Sequence, residues 1–311
     1  MNDIPANPAG IYNLSGNETL QHTIHGTGGA SAIIGQSCSR HGAAIDPFRN
    51  FPDDSVLQEV TSVVRTPFSA DTTFKFDGRE VPTLQIARIF PTQYSDVFYS
   101  IRVFAIKGES PVNTCLARII SEDFAAVAGG DIIYNHKTRT ATDVNAQIDY
   151  YGKVFNDTIL PQLRQSVVNG FYVNTDLRPC WVSDDSTLYT FSSFQESATG
   201  GGPTRIACYY VTFSTLLGRA LTFDDLVPAA DRGEVRRQLL DAIASGAGKS
   251  PDEYLEWLSD YADVADTRYT VDTYPIAHVA LYNNALVFSY LQGVVAPVSA
   301  GCPLYFINPR P

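Results

Sequence analysis

The sequence is short of positive charge. Its 311 residues carry 22 Lys and Arg against 33 Asp and Glu, a formal net charge of −11. No basic run interrupts this balance. Nucleic-acid binding needs a Lys/Arg surplus to neutralise phosphates and is excluded. Adsorption to anionic lipid headgroups is disfavoured for the same reason. Long apolar runs are also missing: no window approaches the roughly 18 residues of a membrane-crossing helix, so no membrane span is predicted. Met1 to Gly10 is polar and lacks a charged flank followed by an apolar stretch, so it does not read as a signal peptide. Two localisations follow. The protein is extracytoplasmic (periplasm or cell surface), with a signal or lipid anchor removed ahead of Met1, or it is cytoplasmic. The lone Met, at position 1, fits the first.

Cysteine is scarce and odd in number. Cys38, Cys115, Cys180, Cys208 and Cys302 show no C-x-x-C spacing. Small buried apolar residues and one or two disulfides both fit this pattern. Catalytic motifs are lacking as well. There is no G-x-S-x-G, no H-E-x-x-H and no phosphate loop, since no Lys-Ser/Thr follows Gly26-Thr27-Gly28-Gly29. His22, His25 and His41 lie near Cys38, but their spacing matches no standard zinc pattern, so no metal or other cofactor is expected. His278 falls in a strand-like run and reads as a sheet residue. The adjacent pairs Asp184-Asp185 and Asp224-Asp225 cannot converge on one bond, because neighbouring side chains diverge on strands and helices alike. Both read as turn chemistry.

What is present is a folding composition, 44% apolar with 17 Tyr, 17 Phe and 2 Trp. Residues 1–55 are rich in Gly, Ser, Asn and Ala and read as an arm or linker. Short β-rich runs follow at Val60–Val64, Thr72–Phe76, Leu84–Phe90 and Val97–Ile106. The last is apolar on much of both faces and reads as a central strand. Asn113–Val127 reads as a helix, with Leu116, Ile119, Ile120, Phe124 and Val127 on one stripe. Ala146–Val168 is a second helix, kinked or broken at Pro161. Strands return at 171–173, 188–194 and 206–213. Arg232–Ala244 is an amphipathic helix. Ser250-Pro251-Asp252-Glu253 opens another, with Ser as N-cap and Pro at the first position. Ile276–Tyr282, Ala285–Tyr290 and Leu304–Ile307 close the chain as strands, with Asn283-Asn284 as a two-residue hairpin turn. Helices and strands do not alternate singly. The predicted class is therefore α+β, with mostly antiparallel sheets, a few packed helices and two halves, 56–170 and 171–311.

Two stretches carry a family resemblance. One runs from Phe191-Ser192-Ser193-Phe194 through Gly200-Gly201-Gly202-Pro203 and Tyr209–Phe213 to Gly218-Arg219-Ala220-Leu221-Thr222-Phe223-Asp224-Asp225-Leu226. The other is the tail, Tyr282–Tyr290 followed by Val295-Ala296-Pro297-Val298-Ser299-Ala300-Gly301 and Leu304–Ile307. They resemble the extracytoplasmic domain of RsiV-type anti-sigma factors and of PdaC-type peptidoglycan deacetylases. Val112-Asn113 resembles the helix start of that family's preceding half. The likeness covers roughly residues 60–309. It departs at Pro203-Thr204, where relatives commonly have Ala-His. No sigma-binding segment and no deacetylase domain accompanies the match. Gly218 is expected to supply a positive φ before a strand Ala220–Phe223.

The resemblance implies a non-catalytic cell-envelope protein that binds or senses lysozyme, another basic protein or cell-wall glycan. The net charge of −11 would attract a basic partner at long range. Exposure-prone turns place the binding residues at Thr199, Gly200, Gly201, Thr204 and Arg205, and at Gly218, Arg219, Asp224 and Asp225. Two rival classes stand beside this one. The first is a glycan or peptidoglycan hydrolase using Glu196, Asp224 or Asp225. The second is a structural subunit of a surface assembly, joined through the 1–55 arm.

Overall fold

The computed structural model describes residues 11–13, 20–22, 30–34, 67–76, 79–92, 97–128, 143–163, 171–199, 205–261, 268–276, 278–282, 285–291, 293–297 and 302–307. They form an α+β fold of two compact units. One takes the described residues of 62–207 and 213–220. The other takes those of 1–61, 208–212 and 221–311. The boundary expected at 170/171 falls inside the first of these. Three short strands lie within the expected arm, β1 (Ile11–Asn13), β2 (Leu20–His22) and β3 (Ala30–Ile34). The expected strand Val60–Val64 lies outside the described residues.

The first unit is built on strands β4 (Phe68–Phe76), β5 (Arg79–Pro91), β6 (Val97–Ile106), β7 (Phe171–Val182), β8 (Leu188–Thr199), β9 (Arg205–Ser214) and β10 (Arg219–Ala220). They order as β10-β9-β8-β7-β6-β5-β4. β6 is an interior strand, antiparallel to β5 and parallel to β7. Its crossover carries the helices α1 (Pro111–Ala128) and α2 (Val144–Val154). Ser110 starts α1 by accepting from Val112 N, with Pro111 at the first position, where no donor is lost. Asn113 ties the helix to the end of β6. Its Oδ1 accepts from Ile106 N and its Nδ2 donates to Ile106 O. Leu116, Ile119, Ile120 and Phe124 are buried, as their stripe requires.

Asp143 caps α2 by accepting from the backbone of Asn145 and Ala146. The helix continues through a π-helical turn, Phe155–Ile159, into a last turn, Leu160–Leu163. Leu160 N bonds Phe155 O across that turn. Pro161 has no N–H for the α ladder, and its ring crowds the carbonyl four residues earlier. The wider turn relieves both. Gln147 Nε2 donates to Ala117 O, and Ser193 Oγ and Gln195 Nε2 reach Asp123, so buried polar bonds tie α1 to α2 and to β8.

The second unit holds β11 (His278–Tyr282), β12 (Ala285–Ser289) and β13 (Leu304–Ile307), in the order β11-β12-β13-β3-β1-β2. Tyr282 pairs with Ala285, which leaves two residues for the hairpin turn. Residues 208–212 of β9 join this unit: Ser289 Oγ accepts from Tyr210 N, and Thr212 Oγ1 accepts from Leu281 N. The helices here are α3 (Phe223–Leu226), α4 (Arg232–Gly246) and α5 (Pro251–Tyr261). Val235, Leu239, Leu240 and Ile243 of α4 and Tyr254, Leu255 and Leu258 of α5 pack with Val279, Leu286, Phe288, Tyr305 and Ile307. At the start of α5, Ser250 Oγ and N both donate to Glu253, the expected cap.

The expected strand Ala220–Phe223 is corrected. The strand ends at Ala220 and a helical turn begins at Phe223. Thr222 donates from both N and Oγ1 to the Asp225 carboxylate, and Thr222 O accepts from Asp225 N and Leu226 N. This reciprocal cap outweighs the β propensity of the residues before it.

Candidate functional site

The predicted binding residues fall at two places. Thr199 ends β8, opposite Phe171, and Arg205 opens β9. Gly200, Gly201 and Thr204 lie outside the described residues. Gly218 and Arg219 lie past the far end of β9, a strand of ten residues or roughly 30 Å. The two predicted loops therefore do not form one site. Asp224 and Asp225 lie together on α3.

The turn from β9 to β10 is tightly held. Gly218 N donates to Ser214 O at 2.9 Å and Leu217 N to Ser214 Oγ at 3.2 Å. Thr215 donates from N and Oγ1 to Thr187 O, and Cys115 Sγ reaches Gly218 O. Gly218 has φ +63°, the left-handed value expected of it. On this anchored turn stand Leu216, 80% exposed, and Leu217, 57% exposed. They are the two most exposed large apolar side chains among the described residues. Arg219 follows them and is exposed. Pattern reading missed both leucines, because a Leu pair directly after a strand reads as core. Their position inside a turn closed by glycine was the available signal.

The carboxylates of the hydrolase reading are engaged. Glu196 is 9% exposed and accepts from Tyr172 Oη at 2.9 Å. Asp224 pairs with Arg232 at 3.0 Å, and Asp225 accepts from the N-cap Thr222 of α3. Asp184 pairs with Arg79. Asp185 accepts from Ser183 Oγ and from Thr187 N and Oγ1, and these bonds pull its carboxyl down to about 2. Both aspartate pairs thus do turn work, as expected.

Beside Glu196 lies a buried polar row that the sequence did not reveal. Ser100 Oγ donates to Asn174 Oδ1. Arg102 Nε and Arg178 Nε donate to the two oxygens of Asp176. Register places Ser100 opposite Asn174 and Asn174 opposite Glu196, so these side chains share one face of the sheet. Burial would push the Asp176 carboxyl up, but the Arg178 and Arg102 charges and hydrogen bonds prevail and hold it below the usual carboxylate value. The Arg178 guanidinium also lies over the Phe104 ring. This row is ionic and buried, and it reads as architecture.

Among the described residues no group of His, Cys, Asp or Glu is placed to hold a metal. Of the four residues weighed for one, His22 closes β2, and His25, Cys38 and His41 lie outside the described residues. His278 opens β11 as a sheet residue and stacks on Tyr209 at 4.2 Å. Cys115, Cys180, Cys208 and Cys302 are buried, and no disulfide joins any two of them. No helix among the described residues is long and apolar enough to cross a membrane.

No family model matches the chain, and no curated protein matches it. Among solved structures it is similar to a DUF3298 family protein from Pseudomonas aeruginosa PAO1, with 13% identity and a TM-score of 0.46. That match covers 79% of this chain and 93% of the other. It is also similar to a DUF3298 family member from Bacteroides fragilis NCTC 9343, with 14% identity and a TM-score of 0.44, covering 78% and 89%. These are likenesses of fold and carry no residue roles.

Proposed function

We propose that this chain is a non-catalytic binding or sensing protein of the cell envelope, and that a basic protein docks on its β9–β10 turn. The observation that carries the reading is the display of Leu216 and Leu217 on a turn fixed by Ser214, Thr187 and Gly218. Exposed apolar side chains on an ordered turn lose little entropy on binding, which favours them as anchors. Net charge supports the same reading, since −11 draws in a cationic partner. So does the resemblance of residues 191–226 and 282–307 to the RsiV-type domain, whose relatives bind lysozyme. The engagement of Glu196, Asp224 and Asp225 in local bonds supports binding over turnover.

The test is calorimetric titration of the full chain with lysozyme, at low and at moderate salt, beside the double variant Leu216→Ser/Leu217→Ser. Micromolar or tighter binding that survives moderate salt, weakened at least about tenfold in the variant, is expected for two anchor residues. Binding confined to low salt, or equal binding by the variant, would overturn the reading, because charge alone would then be the attraction.

A further inference from the structure

The two edges of the seven-stranded sheet differ. β10 is two residues long, too short to template another strand. β4 is nine residues long, and Phe68, Ser69, Ala70, Asp71, Thr73 and Lys75 on it are exposed. Among the described residues β4 pairs only with β5, and a long edge of this kind presents unpaired backbone groups to another strand.

The hydrogen-bonding phase of this edge can be read. Phe76 pairs with Arg79, leaving a two-residue connection, and the closing pair of such a hairpin is hydrogen-bonded. Even-numbered residues of β4 therefore bond inward to β5. Two side-chain contacts agree: Thr83 Oγ1 donates to Thr72 O, and Arg88 donates to Phe68 O. Opposite Thr73 stands Pro82, which has no N–H and whose carbonyl accepts from Lys107 N on the far side. The N–H and C=O of Ser69, Asp71, Thr73 and Lys75 consequently face outward.

We propose that β4 pairs with β4 of a second copy of this chain, antiparallel, with Thr73 on the two-fold axis. Outward residues must oppose outward residues, so odd positions face odd positions. Among the registers this allows, centring on Thr73 sets Asp71 against Lys75 of the other copy, twice by symmetry. Centring on Asp71 or Lys75 sets like charges against each other, and centring on Thr72 or Phe74 pairs neither charge with its opposite. Each side chain already has one neighbour in its own sheet. Lys75 pairs with Glu80 at 2.9 Å and Lys107 with Asp71 at 2.6 Å. Asp71 and Lys75 are nonetheless both 65% exposed. A carboxylate has a second oxygen and an ammonium has further donors, so the new pairs add to the old ones. The result is a row of alternating sign across the junction: Lys107, Asp71, then Lys75 and Glu80 of the other copy. Like-charge pairs opposite each other repel, so the charge pattern selects the register.

A single strand pair is a small interface, so a weak dimer is expected, populated between about 10 μM and about 1 mM. Sedimentation equilibrium of the full chain across that range reads it. Asp71→Lys and Lys75→Asp, each alone, should weaken association at least about tenfold through two like-charge pairs. The double swap, Asp71→Lys/Lys75→Asp, should restore it to within about threefold, because the opposite charges meet again. Thr73→Pro removes an outward N–H and should abolish association with an unchanged far-ultraviolet spectrum. A chain that stays monomeric throughout, a double swap that fails to restore association, or a Thr73→Pro chain that still dimerises overturns the proposal.

Discussion

Gly152 of α2 lies so close to the Phe90 ring that a Cβ built on it would overlap Phe90 Cε1. The ring is held in place by stacking on Tyr99, with centroids 5.6 Å apart. The helix can therefore approach β5 only where it carries no side chain. Gly152→Ala is expected to destabilise the protein by about 1–3 kcal/mol, the usual range for forced overpacking. Calorimetric unfolding checks it. Adding Phe90→Ala should give a loss smaller than the sum of the two single losses, since the clash is shared. An alanine variant as stable as the parent would show that the ring moves aside freely.

Asp176 offers a sharper test, because two guanidiniums depend on it. Asp176→Asn leaves Arg102 and Arg178 buried beside a neutral amide. Breaking a buried ion pair this way costs about 3–5 kcal/mol. The pH dependence follows from the lowered carboxyl. Its contribution is complete above the unfolded value of about 3.9 and is lost as pH falls through the lower folded value. Denaturant midpoints measured from neutrality down to acid should fall below about pH 4 in the parent and fall less steeply in the Asn variant. Parallel curves would place the acid sensitivity elsewhere.

How much of this was legible in the sequence depends on whether a signal is local. β6 matches its expected limits, and the stripe Leu116, Ile119, Ile120 and Phe124 is the buried face of α1. Both signals come from periodicity within a few turns or pleats. The Arg102–Asp176–Arg178 row was not legible, because Arg102 and Asp176 lie 74 positions apart and meet only through the parallel register of β6 and β7. Within β7, Asn174, Asp176 and Arg178 alternate with Val173, Thr175 and Leu177, and a period of two with polar residues on one face normally means solvent. Only tertiary cover buries that face. The misread strand at Ala220–Phe223 failed for the opposite reason: Thr222 and Asp225, three residues apart, hold a cap that β propensity does not register. For the site, the positive φ of Gly218 was legible, whereas no local pattern marked Leu216 and Leu217 as exposed.

Tyr254 reports on the core of the second unit. Its Oη donates to Val295 O at 2.6 Å, joining α5 to the segment before β13. Burial raises its pKa well above the usual phenol value. Tyr254→Phe keeps the ring but strands that carbonyl, a loss of about 1–2 kcal/mol. Denaturant unfolding measures it, and a variant at least as stable as the parent would mean that Val295 O finds another donor.

The four described thiols make the last prediction. Cys115, Cys180, Cys208 and Cys302 are buried, with no disulfide between any two of them. Cys115 Sγ and Cys180 Sγ reach Gly218 O and Thr190 O, so their sulfur atoms already have backbone partners. Burial pushes the Cys115 thiol up, against a smaller pull downward from Arg118. The thiolate is the reactive form, so a raised and enclosed thiol reacts slowly with a disulfide reagent near neutral pH. These four are expected to resist alkylation in the native chain and to label fully once it is unfolded, with no reductant added. Peptide mapping of the labelled sites by mass spectrometry distinguishes this from the disulfide reading. A bridge between any two of them would overturn this expectation, and rapid native labelling at Cys115 would contradict the packing described for α1 and the β9–β10 turn.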